Sequence, residues 1–168
     1  KRVWPTAELL LVGDGEATED LKQQAKEVGL ESSITWVGRV PYWEVPPWIG
    51  AMSVCVAPFC GDRGETSPVK LFDYLACHRP VVASAIPSVV TTFTEDSGVQ
   101  LVLPDDPRLL GESILALLND PGLCEVLGRQ GRQFVEERFS WTAIVGQLRQ
   151  WVGQDLGVIR NAHSHVLR

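Results

Sequence analysis

Residues 65–84, Glu-Thr-Ser-Pro-Val-Lys-Leu-Phe-Asp-Tyr-Leu-Ala-Cys-His-Arg-Pro-Val-Val-Ala-Ser, set an acidic loop, a helix start and a buried strand side by side. Ser67 is placed to cap a helix and Pro68 to take its first position, which leaves unpaired backbone N–H groups and the positive end of a helix dipole facing outward. An end of that kind attracts phosphate. Glu65 precedes it, and Asp73 falls in the second turn, where a helical side chain leans back toward the N-terminus. An anion, a sugar and a ribose can all be held at such a place. The stretch predicts a helix over 67–77 and a strand over 80–84.

On either side, short apolar runs alternate with helical periodicity. Ala7–Val12 is a nearly continuous apolar run closed by Gly13-Asp14-Gly15, which suits a strand buried on both faces. Residues 18–28 carry helical spacing and stop at Gly29; 34–37 and 54–57 read as strands with a short helix over 43–51 between them. Beyond residue 84, a short helix over 88–93 and a strand over 98–102 follow. Asp106-Pro107 and Asp120-Pro121 are two helix starts of one chemistry, an N-cap followed by proline. Ser140 caps a last helix with Ile144, Leu148 and Trp151 on one face, and 157–168 shows no pattern, as a flexible tail would. Strands alternating with helices predict an α/β domain, a Rossmann-like parallel sheet with helices on both faces, because parallel strands need crossover connections. Ligands of such sheets bind at the carboxyl ends of the strands, and the loop holding Glu65 leaves such an end.

The chain has 168 residues, 45% hydrophobic and 21% charged, enough for one ordinary domain with a real core. A net charge of −6 argues against a duplex-binding surface, which needs clustered Lys and Arg, and leaves small anionic ligands open, since local fields can oppose the net charge. No apolar run approaches the ~20 residues of a membrane-spanning helix, and no signal peptide opens the chain, so a cytoplasmic location is the default expectation. Cys55, Cys60, Cys77 and Cys124 lack zinc spacing and are expected to be reduced.

Other motifs carry duller readings. Gly13-Asp14-Gly15 lacks the third glycine of a dinucleotide fingerprint and reads as a tight strand-to-helix turn. Asp73 can pair with Lys70 at the i, i+3 spacing, leaving Glu65 as a solvated loop residue. His78 suits the carboxyl end of its helix, His163 and His165 make a poor metal site, and tryptophans such as Trp36, Trp43 and Trp48 read as core or domain-interface residues. No Ser-His-Asp set is visible.

Six segments in order nevertheless form a recognisable pattern: Leu-Leu-Leu-Val-Gly-Asp-Gly at 9–15, Ile-Thr-Trp-Val-Gly-Arg-Val at 34–40, Val-Cys-Val-Ala-Pro at 54–58, Glu65 through Ser84, Gly-Val-Gln-Leu-Val-Leu-Pro at 98–104 and Glu-Arg-Phe-Ser-Trp at 137–141. The chain resembles the C-terminal, nucleotide-sugar-binding half of retaining glycosyltransferases with the GT-B fold, glycosyltransferase family 4, group 1. The resemblance implies that residues 1–156 are a donor-binding Rossmann-like domain, followed by the tail at 157–168. It implies transfer of a hexose from a nucleoside-diphosphate sugar to an acceptor hydroxyl with retention, without a cofactor or a tightly held metal, as in polysaccharide biosynthesis. The family's Glu-x7-Glu motif falls on Glu65 and Asp73. Glu65 is then the catalytic acid that meets hydroxyls of the transferred sugar, and Asp73 holds the ribose. Thr66, Ser67, Pro68 and Val69 line the diphosphate, Lys70 adds charge, and Gly38, Arg39 and Val40 meet the base.

Two positions depart from the pattern: Asp73 is one methylene shorter than the usual Glu, and His78 stands where the family has Gly. The same fold also serves sugar-nucleotide epimerases, and a non-catalytic nucleotide-binding or interaction module would rest on these departures. The sequence reads as beginning after the family domain's first, central strand and without an N-terminal acceptor domain, the expected partner, which would also carry any peripheral attachment to the inner membrane face. With that strand missing, the run at 7–12 must pair with 54–57 or the fragment must borrow a strand by self-association, and alone it is expected to be inactive.

Overall fold

The computed structural model describes residues 6–61 and 67–166, with side chains described through Gly153. In chain order the elements are β1 (Leu9–Val12), α1 (Thr18–Glu27), β2 (Ile34–Gly38), α2 (Val45–Ala51), β3 (Cys55–Ala57), α3 (Val69–Ala76), β4 (Val81–Ser84), α4 (Pro87–Val90), β5 (Val99–Val102), α5 (Pro107–Leu118), α6 (Pro121–Phe139) and α7 (Trp141–Val166). All strand pairings are parallel, as crossover helices require. This is the α/β architecture expected, with one division. The strands form a β1-β2 pair and a separate β3-β4-β5 sheet. Pairing of the 7–12 run with the 54–57 run, the first of the two expected ways to close the sheet, does not occur. β1 and β3 each keep one edge without a strand partner among the described residues.

The core lies on the two faces of β3-β4-β5. On one face Leu71 and Leu75 of α3 pack with Ala57, Val81, Ala83, Val89 and Phe93, and four phenylalanines, Phe72, Phe93, Phe134 and Phe139, stack in tilted pairs with centroids 4.8 to 6.1 Å apart. On the other, Val82, Val102 and Leu117 pack with Leu110, Ile114 and Leu127. β4 is buried at all four positions, as the apolar Val81, Val82 and Ala83 on both its faces demand, with Ser84 buried at its end. β1 is apolar throughout but only half covered, Leu9 being 47% exposed; that follows from its having one strand neighbour among the described residues.

The aspartate-proline helix starts form as expected. Asp106 accepts from the Leu109 N–H and Asp120 from the Leu123 N–H, each at 2.9 Å. Ser140 likewise accepts from Ala143 N–H at 3.2 Å. Helix α7 continues to Val166, through residues where the sequence shows no helical pattern. Its apolar face stays open: Leu148 and Trp151 are exposed. The core reading of the tryptophans fails for Trp43, Trp141 and Trp151, which are 62% exposed or more; a large apolar side chain alone does not specify burial.

Candidate functional site

Each strand of a parallel sheet sends its following loop off the same edge, so the loops after β3, β4 and β5 meet. Gly61 N–H donates to Asp105 Oδ2 at 3.0 Å, joining the loop after β3 to the one after β5. Ala85 N–H donates to the Val102 carbonyl at 2.8 Å. In the other sheet Gly13 N–H donates to the Gly38 carbonyl at 2.8 Å, with both glycines at positive φ where the chain turns out of the strands. The turn at Gly13-Asp14-Gly15 is a local structure: Asp14 Oδ1 accepts from the Gly15 N–H and from the Thr18 hydroxyl. Its tight-turn reading therefore holds.

Helix α3 presents its N-terminus at this edge, and two of the expectations for it change. The helix starts at Val69, its N-cap is Pro68, and no side chain among the described residues caps it. Ser67 lies exposed outside the helix, so the capping role expected of it is corrected. Pro68 is buried, and a proline seated in the core fixes where the helix begins without needing a hydroxyl cap. Val69 and Lys70 are exposed in the first turn. The Lys70 ammonium lies 5.2 Å from the Phe59 ring centroid, a cation–π position. Asp73 is bonded not to Lys70 but to Tyr42, whose hydroxyl donates to Asp73 Oδ1 at 3.0 Å. The local i, i+3 pairing gives way to a contact between elements.

The Tyr42 bond brings two parts of the expected site together. Gly38 ends β2 at φ 76°, Arg39 is exposed, Val40 is half-buried, and Tyr42 opens the 3-10 turn Tyr42–Glu44 that follows them. The 38–42 segment thus reaches the flank of α3. The hydrogen bond to Asp73, and then that carboxylate's charge, holds the Tyr42 phenol above its ordinary pKa. Glu65 and Thr66 lie outside the described residues. Sequence reasoning passed over Tyr42 and Asp105. Tyr42's signal was its place two residues beyond Val40 on a strand-end loop; Asp105 has a positive φ of 58°, for which a non-glycine sequence carries no marker.

Below the site α3 is held rigidly. Leu71 and Leu75 are fully buried, and Arg132 Nη1 of α6 donates to the Ala76 carbonyl at the helix's other end. His78 follows the helix in the left-handed region at φ 58°, with its N–H donating to Leu75 and that of Arg79 to Tyr74. This is the Schellman turn usually given to glycine. His78 therefore terminates the helix through its backbone, at an intrinsic cost of about 1–2 kcal/mol for a side chain in that conformation. Burial pushes the nearby Tyr74 phenol and Cys55 thiol each up to about 12, so neither is a nucleophile or base near neutral pH. Among the described residues no cluster of three or more His, Cys, Asp or Glu gathers as a metal site, and no helix is long and apolar enough to cross a membrane.

Residues 1–120 match the family model described as glycosyl transferases group 1. A GDP-mannose-dependent monoacylated alpha-(1-6)-phosphatidylinositol monomannoside mannosyltransferase of Corynebacterium glutamicum is 28% identical over 141 residues, 82% of this chain and 36% of that protein. A lipopolysaccharide core biosynthesis glycosyltransferase of Rhizobium meliloti is 29% identical over 136 residues, 81% of this chain and 38% of that protein. Among solved structures, sucrose-phosphate synthase of Thermosynechococcus elongatus superposes with a TM-score of 0.77 at 28% identity, covering 92% of this chain and 40% of that one. Anabaena HepE in complex with UDP-glucose superposes at 0.76 and 20% identity, covering 90% and 42%, a likeness of fold. The chain spans less than half the length of these relatives.

Proposed function

The chain belongs to the group 1 glycosyl transferases, and from that premise we propose that it forms the donor half of a retaining hexosyltransferase site. In this reading Asp73 accepts from the ribose hydroxyls and Gly38, Arg39 and Val40 meet the base. Thr66, Ser67, Pro68, Val69 and Lys70 surround the diphosphate, Pro68 supplying no N–H, and Glu65 meets the sugar. The exposed first turn of α3 supplies backbone donors and a dipole end where negative charge grows on the leaving diphosphate. The observation that carries the reading is the Tyr42–Asp73 bond: it brings the base-side segment to within one hydrogen bond of the ribose-side acid, although 31 positions separate the two in sequence. Names of relatives that use GDP-mannose or were solved with UDP-glucose support a nucleotide-sugar donor.

Calorimetric titration with UDP, GDP and ADP tests this. Enzymes commonly have KM values of about 1 μM to 1 mM, so saturable binding of one of the three by ~1 mM is expected. Absence of binding to all three removes the donor-site assignment.

The acceptor groove, in this reading, lies between this domain and an acceptor domain in the full-length protein, so the isolated chain binds nucleotide without transferring sugar. The edges of β1 and β3 that have no strand partner among the described residues bear on the chain's own behaviour. In a doubly wound sheet they flank the place of a single strand, and open strand edges recruit other chains. Self-association of the isolated chain that rises with concentration is the expected result in sedimentation velocity; a monomer at every concentration tested counts against an open slot.

A further inference from the structure

Tyr42 is 72% exposed and Trp43 beside it 78% exposed. Neither is held by the core, yet the Tyr42 hydroxyl is directed onto Asp73 Oδ1 at 3.0 Å. A solvent-exposed hydrogen bond adds little to stability, since water competes for both partners. Its larger effect is on the carboxylate. Asp73 is half-buried on a rigid helix between buried Leu71 and Leu75, so its backbone is fixed and its freedom lies in the side chain. The phenol removes that freedom. A carboxylate offers about four lone-pair directions, and Tyr42 takes one of them on Oδ1, which leaves room for the two donors of a vicinal diol.

We propose that Tyr42 is a positioning residue that holds Asp73 in the orientation that receives the ribose hydroxyls of a nucleoside diphosphate, and so sets the preference for ribose over deoxyribose. The inference rests on the donor-site reading of Asp73. Geometry supports it from both sides of the site. Tyr42 is on the segment that leaves β2 through Gly38, and Asp73 is on the helix that follows β3, so a bound nucleoside that bridges the two segments meets a carboxylate already restrained. Ordering a side chain before binding removes a cost otherwise met at the moment of association. The shorter reach of aspartate makes this restraint more consequential than it would be for glutamate, because a misdirected short carboxylate has no further torsion with which to recover.

The test compares the full chain with its Tyr42→Phe variant, which keeps the ring and removes the hydroxyl. Dissociation constants are measured for whichever of UDP, GDP or ADP binds, and for the 2′-deoxy form of the same nucleotide. The unsubstituted chain is expected to prefer the ribonucleotide, and Tyr42→Phe to lose about threefold to tenfold of that preference, with binding of the deoxynucleotide changed less than its ribo counterpart. Equal weakening of both ligands, an unchanged preference, or a lowered unfolding midpoint in the variant overturns the assignment of Tyr42. An unsubstituted chain that binds none of the nucleotides removes instead the donor reading on which the inference stands, and the two failures are separable because only the second appears before any substitution is made.

Discussion

Gly98→Ala lowers the unfolding midpoint by about 4–20 °C. Gly98 sits at φ 72° in the left-handed turn between the 3-10 turn Glu95–Ser97 and β5. A Cβ there would lie 2.4 Å from the Leu127 carbonyl oxygen, 2.7 Å from Gly131 N and 3.0 Å from Gly131 Cα. All three are backbone atoms of α6, so no side-chain rotation relieves the contact. Helix α6 cannot retreat freely either, because Gly128 lies where a Cβ would meet the His78 carbonyl oxygen at 2.4 Å and Gly131 where one would meet Leu75 Cδ2 at 2.4 Å. Left-handed strain of about 1–2 kcal/mol and overpacking of about 1–3 kcal/mol together make roughly 2–5 kcal/mol. That is a large share of the ~5–15 kcal/mol that holds a domain folded, and each kcal/mol moves the midpoint of a chain this size by about 2–4 °C. Gly111→Ala is the control. Gly111 is inside α5 with nothing within 4 Å of an added Cβ, so alanine there raises stability by about 0.5–1 kcal/mol. Differential scanning calorimetry reads both, and an unchanged midpoint for Gly98→Ala would mean that α6 does not rest on that turn.

The features legible in the sequence are those whose physics is local. Asp106 and Asp120 cap their helices because the residue before a proline at the first helical position needs only its own side chain and the N–H three residues on. β4 reads as a buried strand because its sequence is apolar on both faces. What stays hidden depends on distant partners. Ser67 looks like a cap, yet burial of Pro68 sets the helix start. Asp73 looks like the partner of Lys70, and finds Tyr42 from another element instead. His78 and Asp105 adopt positive φ that only the surrounding turns demand, since neither residue is glycine. The divided sheet, too, is invisible in β1 itself: its four apolar residues ask for two neighbours, and among the described residues they have one.

Glu65→Gln in the full-length protein is expected to reduce sugar transfer by about 10²-fold or more while leaving nucleotide affinity within about twofold, losses of this size being usual when one group aligned with transition-state charge is removed. Glutamine keeps the size of the side chain but replaces one acceptor oxygen with a donor and removes the charge. Sugar hydroxyls that donate to a carboxylate in the proposed site then meet an amide N–H. Nucleotide affinity is spared because the ribose and diphosphate are assigned to other groups: Asp73, restrained by Tyr42, and the first turn of α3. The segment carrying Glu65 has tethered flanks, Gly61 through its bond to Asp105 and Pro68 through burial, so an isosteric change within it is expected to act on chemistry rather than on folding. The measurement is transfer from the sugar donor whose nucleotide the titration selects, alongside the nucleotide dissociation constant of the same variant. Undiminished transfer takes Glu65 out of the reaction, whereas a parallel collapse of nucleotide affinity makes it a support of the loop. Only a fall in turnover at preserved affinity assigns it to the transferred sugar, because binding and chemistry then separate along the same line as the two carboxylates.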